Sequence, residues 1–167
     1  MKKVAICGWS DTWKEAPFFD KSWEIWSLNH RVRELPRTDL HFDLHDLRTY
    51  SETNPYFIWL LNNQDRIMTT GIDFRLKGKV YPKNVIMDMY GDYFTCSMSF
   101  MVALAIFEDY ETIGLWGIDM VSSVEQQQQL PSLLRFLGLA EGKDINIVLP
   151  KECKLYSKKR LYGNWPS

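Results

Sequence analysis

Short apolar runs alternate with polar stretches marked by Gly or Pro along the whole chain. Lys3 to Cys7 predicts a first β-strand ended by Gly8, and 8–20 (GWSDTWKEAPFFD) an irregular loop or one helical turn. Trp23 to Leu28 predicts a second strand with Asn29 at its carboxyl end, and 30–38 a short basic helix closed before Pro36. Leu40, Phe42 and Leu44 alternate with Asp39, His41, Asp43 and His45, which predicts a third strand with one wet face at the edge of the sheet. Asn54-Pro55 opens a helix running to about Asn63, since proline is preorganised for the first helical position. Arg66 to Thr69 reads as a brief strand, and 71–93, broken by Gly71, Gly78, Pro82 and Gly91, as loop.

The stretch Phe94 to Met120 (FTCSMSFMVALAIFEDYETIGLWGIDM) carries the most information. It predicts a hydroxyl-rich turn, a nearly all-apolar helix over 97–108, a buried strand over 112–117, and Gly117-Ile118-Asp119 at the strand exit. A Gln-rich helix from about 124 to 141 and a last strand from Ile145 to Leu149 follow, stopped by Pro150. Strands alternating with helices predict an α/β fold: one Rossmann-like three-layer domain over 1–150 with a mostly parallel sheet, trailed by a basic tail over 151–167.

Composition narrows the function classes. At 167 residues the chain fits one domain, and its net charge of -1 makes it no electrostatic magnet for nucleic acid or an anionic membrane. Cys7, Cys96 and Cys153 are scattered without a CxxC pair, which argues against a zinc site or a disulfide framework and for a reducing compartment. The apolar run after Met1 is too short for a signal peptide, and no segment approaches the length of a membrane span. The expectation is a cytoplasmic protein with no metal and no cofactor, binding neither nucleic acid nor membrane and free to form a homo-oligomer.

The candidate chemistry gathers at strand exits, where open α/β sheets place their ligands. Gly8 lets the backbone turn sharply, with Trp9, Ser10 and Thr12 beside it and Asn29 at the neighbouring exit. The single glycine does not match a GxGxxG dinucleotide fingerprint, and a plain turn with a helix cap is the alternative. Thr95, Ser97 and Ser99 stand where a helix begins, so hydroxyls and free N–H groups could hold an anionic group, or merely cap.

In the row Asp39, His41, Asp43 and His45, neighbours lie about 6–7 Å apart, too far to chelate one ion comfortably. A wet strand face is the reading, with His45 kept as a pocket residue. Asp119 and Glu125 are carboxylates that could face the cleft, and with His45 they would be the working residues of an enzyme. The aromatic pairs Trp9/Trp13 and Phe18/Phe19 could stack on a base or simply pack. Lys151, Lys154, Lys158, Lys159 and Arg160 could close over a phosphorylated ligand or stay solvated.

Two blocks, VAICGWSDTWKEAPFFDKSWEIWSLN and FTCSMSFMVALAIFEDYETIGLWGIDM, resemble the bacterial sialyltransferase-like group and the related DUF115-type nucleotide-binding proteins, and small phage-encoded proteins with the same blocks. The resemblance implies that Gly8, Ser10, Asn29, Thr95 and Ser97 surround a nucleotide, with Asp119 at its border. That group carries a catalytic His in a longer C-terminal part, whereas this chain has no His after His45. The expectation is therefore a phage-type protein that captures a nucleotide or nucleotide-derived small molecule, such as a host defence signal. The alternative is a small nucleotide-sugar glycosyltransferase or a nucleotide hydrolase of N-glycosidase or phosphohydrolase type.

Overall fold

The computed structural model describes residues 1–121 and 123–155. Seven parallel strands form one open sheet: β1 (Lys3–Cys7), β2 (Trp23–Leu28), β3 (Leu40–Asp43), β4 (Ile67–Thr69), β5 (Lys79–Val80), β6 (Thr112–Trp116) and β7 (Asn146–Val148). Their spatial order is β5-β4-β3-β2-β1-β6-β7. The chain walks outward from β1 to β5, then returns through two helices to start β6 on the other side of β1. The order therefore reverses between β1 and β6, which is the switch point where a doubly wound sheet opens a crevice. The Rossmann-like α/β architecture expected from the alternating pattern is the one observed.

Alternation along each strand sorts the side chains to two faces. Val4, Ile6, Trp26, Leu28, Phe42, Ile113 and Leu115 join one core with α3 (Ser97–Phe107) and α4 (Val124–Glu141). Residues Met101 to Ile106 of α3 are all buried, because the sheet, α4 and α2 (Lys83–Tyr90) surround it. On the opposite face Ala5, Cys7, Ile25 and Trp116 pack under Ala16 and Phe18. Further along that face α1 (Pro55–Asn62) covers the strands with Tyr56, Phe57 and Leu60. Asn54 caps α1, its side chain accepting from the Tyr56 and Phe57 amides at 2.9 and 3.2 Å.

Three expectations are corrected. Residues 71–93 are more than loop, since they contain β5 and α2. β5 is only two residues long with both exposed, and α2 is a short helix in which Ile86 alone is fully buried, so the punctuation by Gly and Pro dominates the pattern there. The basic stretch after Asn29 is a single 3-10 turn, His30–Glu34.

The supposed wet face of β3 is buried, with His41 at 0% and Asp43 at 3% exposure. β3 lies inside the sheet between β2 and β4, and the rings of Tyr56 and Trp59 from α1 lie against His41 at 5.9 and 5.2 Å. The strand also stops at Asp43, which leaves His45 in the following loop.

Candidate functional site

The carboxyl ends of β1 and β6 meet backbone to backbone. A Cβ on Gly8 would lie 2.4 Å from the Gly117 carbonyl oxygen, and one on Gly117 would lie 2.8 Å from the Gly8 carbonyl carbon. Gly117 also has φ +71°, a conformation that glycine adopts without strain. Hydrogen bonds stitch the two exits together: Gly8 N–H to Trp116 C=O at 2.7 Å and Ser10 N–H to Gly117 C=O at 2.9 Å. The buried Thr12 hydroxyl accepts from Gly117 N–H at 2.9 Å. The direction a side chain would take from Gly8 is filled by Gly117, while Gly8 itself still borders the crevice.

Above this floor lies a two-lobed crevice. The larger lobe, about 780 Å³, is bordered by Gly8, Trp9, Ser10, Gly117, Asp119 and Lys154. The smaller lobe, about 470 Å³, is bordered by His45, Thr95, Cys96, Ser97, Ser123 and Glu125. Leu28, Asn29, Met98 and Gln126 line both, so the lobes join at the β2 exit and the first turn of α3.

Asn29 occupies that junction with φ 62° and ψ 174°, a backbone region that only glycine enters freely. Such a conformation costs on the order of 1–3 kcal/mol and persists where the surroundings enforce it, most often at binding sites. It turns the chain abruptly out of β2 while keeping an amide side chain at the crevice.

α3 begins at the smaller lobe without a side-chain cap. The positive end of its dipole lies beside Ser97 and Cys96 at that lobe. Thr95 also borders this lobe, and its hydroxyl donates to Gln129 C=O at 3.2 Å, tying the start of α3 to α4. Ser99 is fully buried and donates to Cys96 C=O at 2.7 Å, so it supports the wall from behind instead of lining it.

Trp9 presents a ring that is 41% exposed to the larger lobe. His30 meets it edge-on at 4.4 Å, and the Arg31 guanidinium sits 5.3 Å from its centre. Arg31 also donates to the Trp9 carbonyl at 2.7 Å. Of the basic tail, Lys154 borders the larger lobe and its N–H reaches Asp119 Oδ1 at 3.5 Å. Lys158, Lys159 and Arg160 lie outside the described residues. Phe18 is buried in the core and Phe19 points to solvent away from the crevice walls.

The three candidate catalytic groups divide between the lobes. His45 and Glu125 border the smaller one, and Asp119 the larger. Glu125 Oε1 accepts from Gln129 Nε2 at 2.9 Å, along one face of α4.

His45 has a network behind it that sequence reading did not find. Its Nδ1 lies 2.8 Å from Asp43 Oδ1, and Tyr56 donates its hydroxyl to Asp43 Oδ2 at 2.8 Å. His41 Nε2 lies 2.7 Å from Tyr56 Oη, and His41 Nδ1 lies 2.9 Å from Ser27 Oγ. A carboxylate only accepts, so Tyr56 spends its proton on Asp43 and His41 must donate through Nε2, which leaves Nδ1 to accept from Ser27.

Burial pushes the His41 pKa down to about 4, keeping this ring neutral. Burial alone would raise the Asp43 carboxyl, but the bonds from His45 and Tyr56 outweigh it and hold it below its ordinary value. His45 is raised, chiefly by its bond to Asp43. The Cys7 thiol is pushed up to about 12 by burial, and Cys96 and Cys153 are also raised by burial, so none is an activated nucleophile. Among the described residues no cluster of three or more His, Cys, Asp or Glu side chains is placed to hold a metal ion. No described helix is long and apolar enough to cross a membrane.

These features define a Rossmann-like α/β domain with its crevice at the switch point of the sheet. The fold is similar to that of the sialyltransferase CstII from Campylobacter jejuni. One CstII structure, in complex with the substrate analogue cytidine-5'-monophosphate, superposes with a TM-score of 0.59 at 19% identity, over 89% of this chain and 79% of that one. CstII with CMP-3FNeuAc gives 0.57 at 18% identity, over 89% and 81%. CstII with a trisaccharide acceptor and CMP gives 0.56 at 18% identity, over 89% and 80%. No protein-family model matches the chain, and no curated protein sequence does.

Proposed function

We propose that the protein binds a nucleotide or a nucleotide-derived small molecule in the two-lobed crevice. The observation that carries this reading is the backbone of Asn29. A non-glycine residue is held in a conformation that only glycine enters freely, at the junction of both lobes. The exposed Trp9 ring offers a face to a base, and Lys154 offers a cation to a phosphate in the same lobe. The similar CstII structures hold CMP or CMP-3FNeuAc, which supports the ligand class.

The test is a thermal-shift screen with NMPs, NDPs, CMP- and UDP-sugars, ADP-ribose isomers and cyclic dinucleotides. One class is expected to raise the melting temperature by several degrees, since a ligand at 100 times its Kd adds about 2.7 kcal/mol. No shift with any compound sinks the reading. The phage-type sequestering role expected from the sequence is one use of such binding, and the crevice does not depend on it. Glycosyl transfer or hydrolysis starts from the same bound state, and the specific observation that favours turnover is the bonded pair His45 and Asp43 at the smaller lobe.

A further inference from the structure

His45 combines three properties. Its side chain is 61% exposed and borders the smaller lobe, so a ligand or water can reach it. Its Nδ1 is engaged by a carboxylate that is itself buried and anchored from the other side by Tyr56. Since Asp43 can only accept, Nδ1 carries a proton and the Nε2 lone pair is the free basic atom.

Resting on the proposed binding of a nucleotide derivative, we propose that His45 is a catalytic proton acceptor, with Asp43 and Tyr56 as positioning residues, and that the protein hydrolyses its ligand. The nucleophile is water, because the lobe is open to solvent and His45 faces it. The oxygen of water bonds to the electrophilic centre of the ligand while His45 Nε2 takes one of its protons. The bond from that centre to the leaving oxygen breaks and its electron pair stays with that oxygen. The imidazolium then returns the proton to the leaving group, so the net change is one water added across one bond.

Asp43 stabilises the imidazolium during this exchange, as a carboxylate behind a histidine does generally. The raised basicity of His45 fits that role. The groups that bear on it are Asp43 at the end of β3, Tyr56 of α1 behind Asp43, and Tyr50, whose ring is 5.9 Å from Tyr56. His30 lies 6.3 Å from Tyr56, Arg33 acts on Tyr56 through its charge, and Glu125 faces the lobe from α4.

The experiment incubates the intact chain with ADP-ribose, UDP-glucose, a CMP-linked sugar and a cyclic dinucleotide, separates the products by chromatography, and records thermal shifts on the same samples. The compound that stabilises the protein is expected to be hydrolysed. His45→Gln is expected to keep the thermal shift and lose activity by about 100-fold or more. Asp43→Asn, which keeps the shape and removes the charge, should lower kcat and move the acid limb of the pH profile to lower pH. A merely structural role for Asp43 leaves that limb in place. A ligand that binds and is recovered intact overturns hydrolysis and leaves the binding reading standing, whereas a His45→Gln variant with wild-type turnover overturns His45 as the proton acceptor. Failure of every compound to bind overturns both.

Discussion

Gly8 and Gly117 are each other's packing partners, their backbones meeting so closely that neither position has space for a Cβ. Gly8→Ala would set a methyl 2.4 Å from the Gly117 carbonyl oxygen and 2.7 Å from Ile118 Cγ1. Much of that contact is with backbone, so the strand exits must part, at a cost of about 1–3 kcal/mol or more. Gly117→Ala adds a strained φ of +71° and is expected to be the worse of the two. Urea denaturation of both variants checks the order.

Asn29→Gly is expected to move stability and binding in opposite directions. Relieving the backbone recovers about 1–3 kcal/mol, less about 0.4–1 kcal/mol for the greater freedom of glycine in the unfolded chain. The variant should therefore melt higher than wild type while binding the proposed nucleotide about fivefold more weakly, the loss of one hydrogen bond of about 1 kcal/mol. A lower melting temperature would mean that the Asn29 backbone is not strained.

His41 makes stability fall on the acid side. Its folded pKa, about 4, lies below its ordinary value of 6.5. Between these limits the unfolded chain takes up a proton that the folded chain refuses, so stability rises with pH across the window and is lost as pH falls from 6.5 to about 4. The loss attributable to this ring is on the order of 3 kcal/mol. His45 has the opposite sign: its pKa is raised, so its contribution is complete below its ordinary value and disappears as pH climbs through the folded one. Denaturation midpoints against pH for wild type and His41→Gln check the first claim, the variant showing the flatter acid slope.

Trp9→Ala is expected to weaken nucleotide binding by roughly 10- to 100-fold, from a stacking contribution of about 1–3 kcal/mol per base. Stability should change little, because the ring is half-exposed and Arg31 bonds the Trp9 backbone, which the substitution retains. Trp9→Phe should restore most of the affinity. Calorimetric titration separates this from a general loss of fold.

The parts of the fold visible in the sequence are those with a local apolar period. β1, β2, α3, β6 and α4 could each be read from their own residues, and α4 matches its expected span of 124 to 141. Alternation correctly put His41 and Asp43 on one face of β3, but it cannot say what covers that face. The cover is Tyr56, brought from α1 by tertiary packing, and with it came the whole chain from Ser27 to His45. Asn29 stands out in the sequence for its amide, whereas its positive φ leaves no mark beyond the tolerance of Asn for such conformations. Ser99 looked like its neighbour Ser97, and only the helix phase turns one to the crevice and the other into the core.

The clasp between Thr12 and Gly117 joins residues 105 positions apart in the chain. The crevice therefore has no floor until β6 has docked beside β1, a long-range parallel pairing of the kind that forms slowly. A chain released or cut before Thr112 lacks the second wall entirely. The crevice is thus a property of the molecule with β1 and β6 already joined, and no shorter N-terminal piece of the chain contains it.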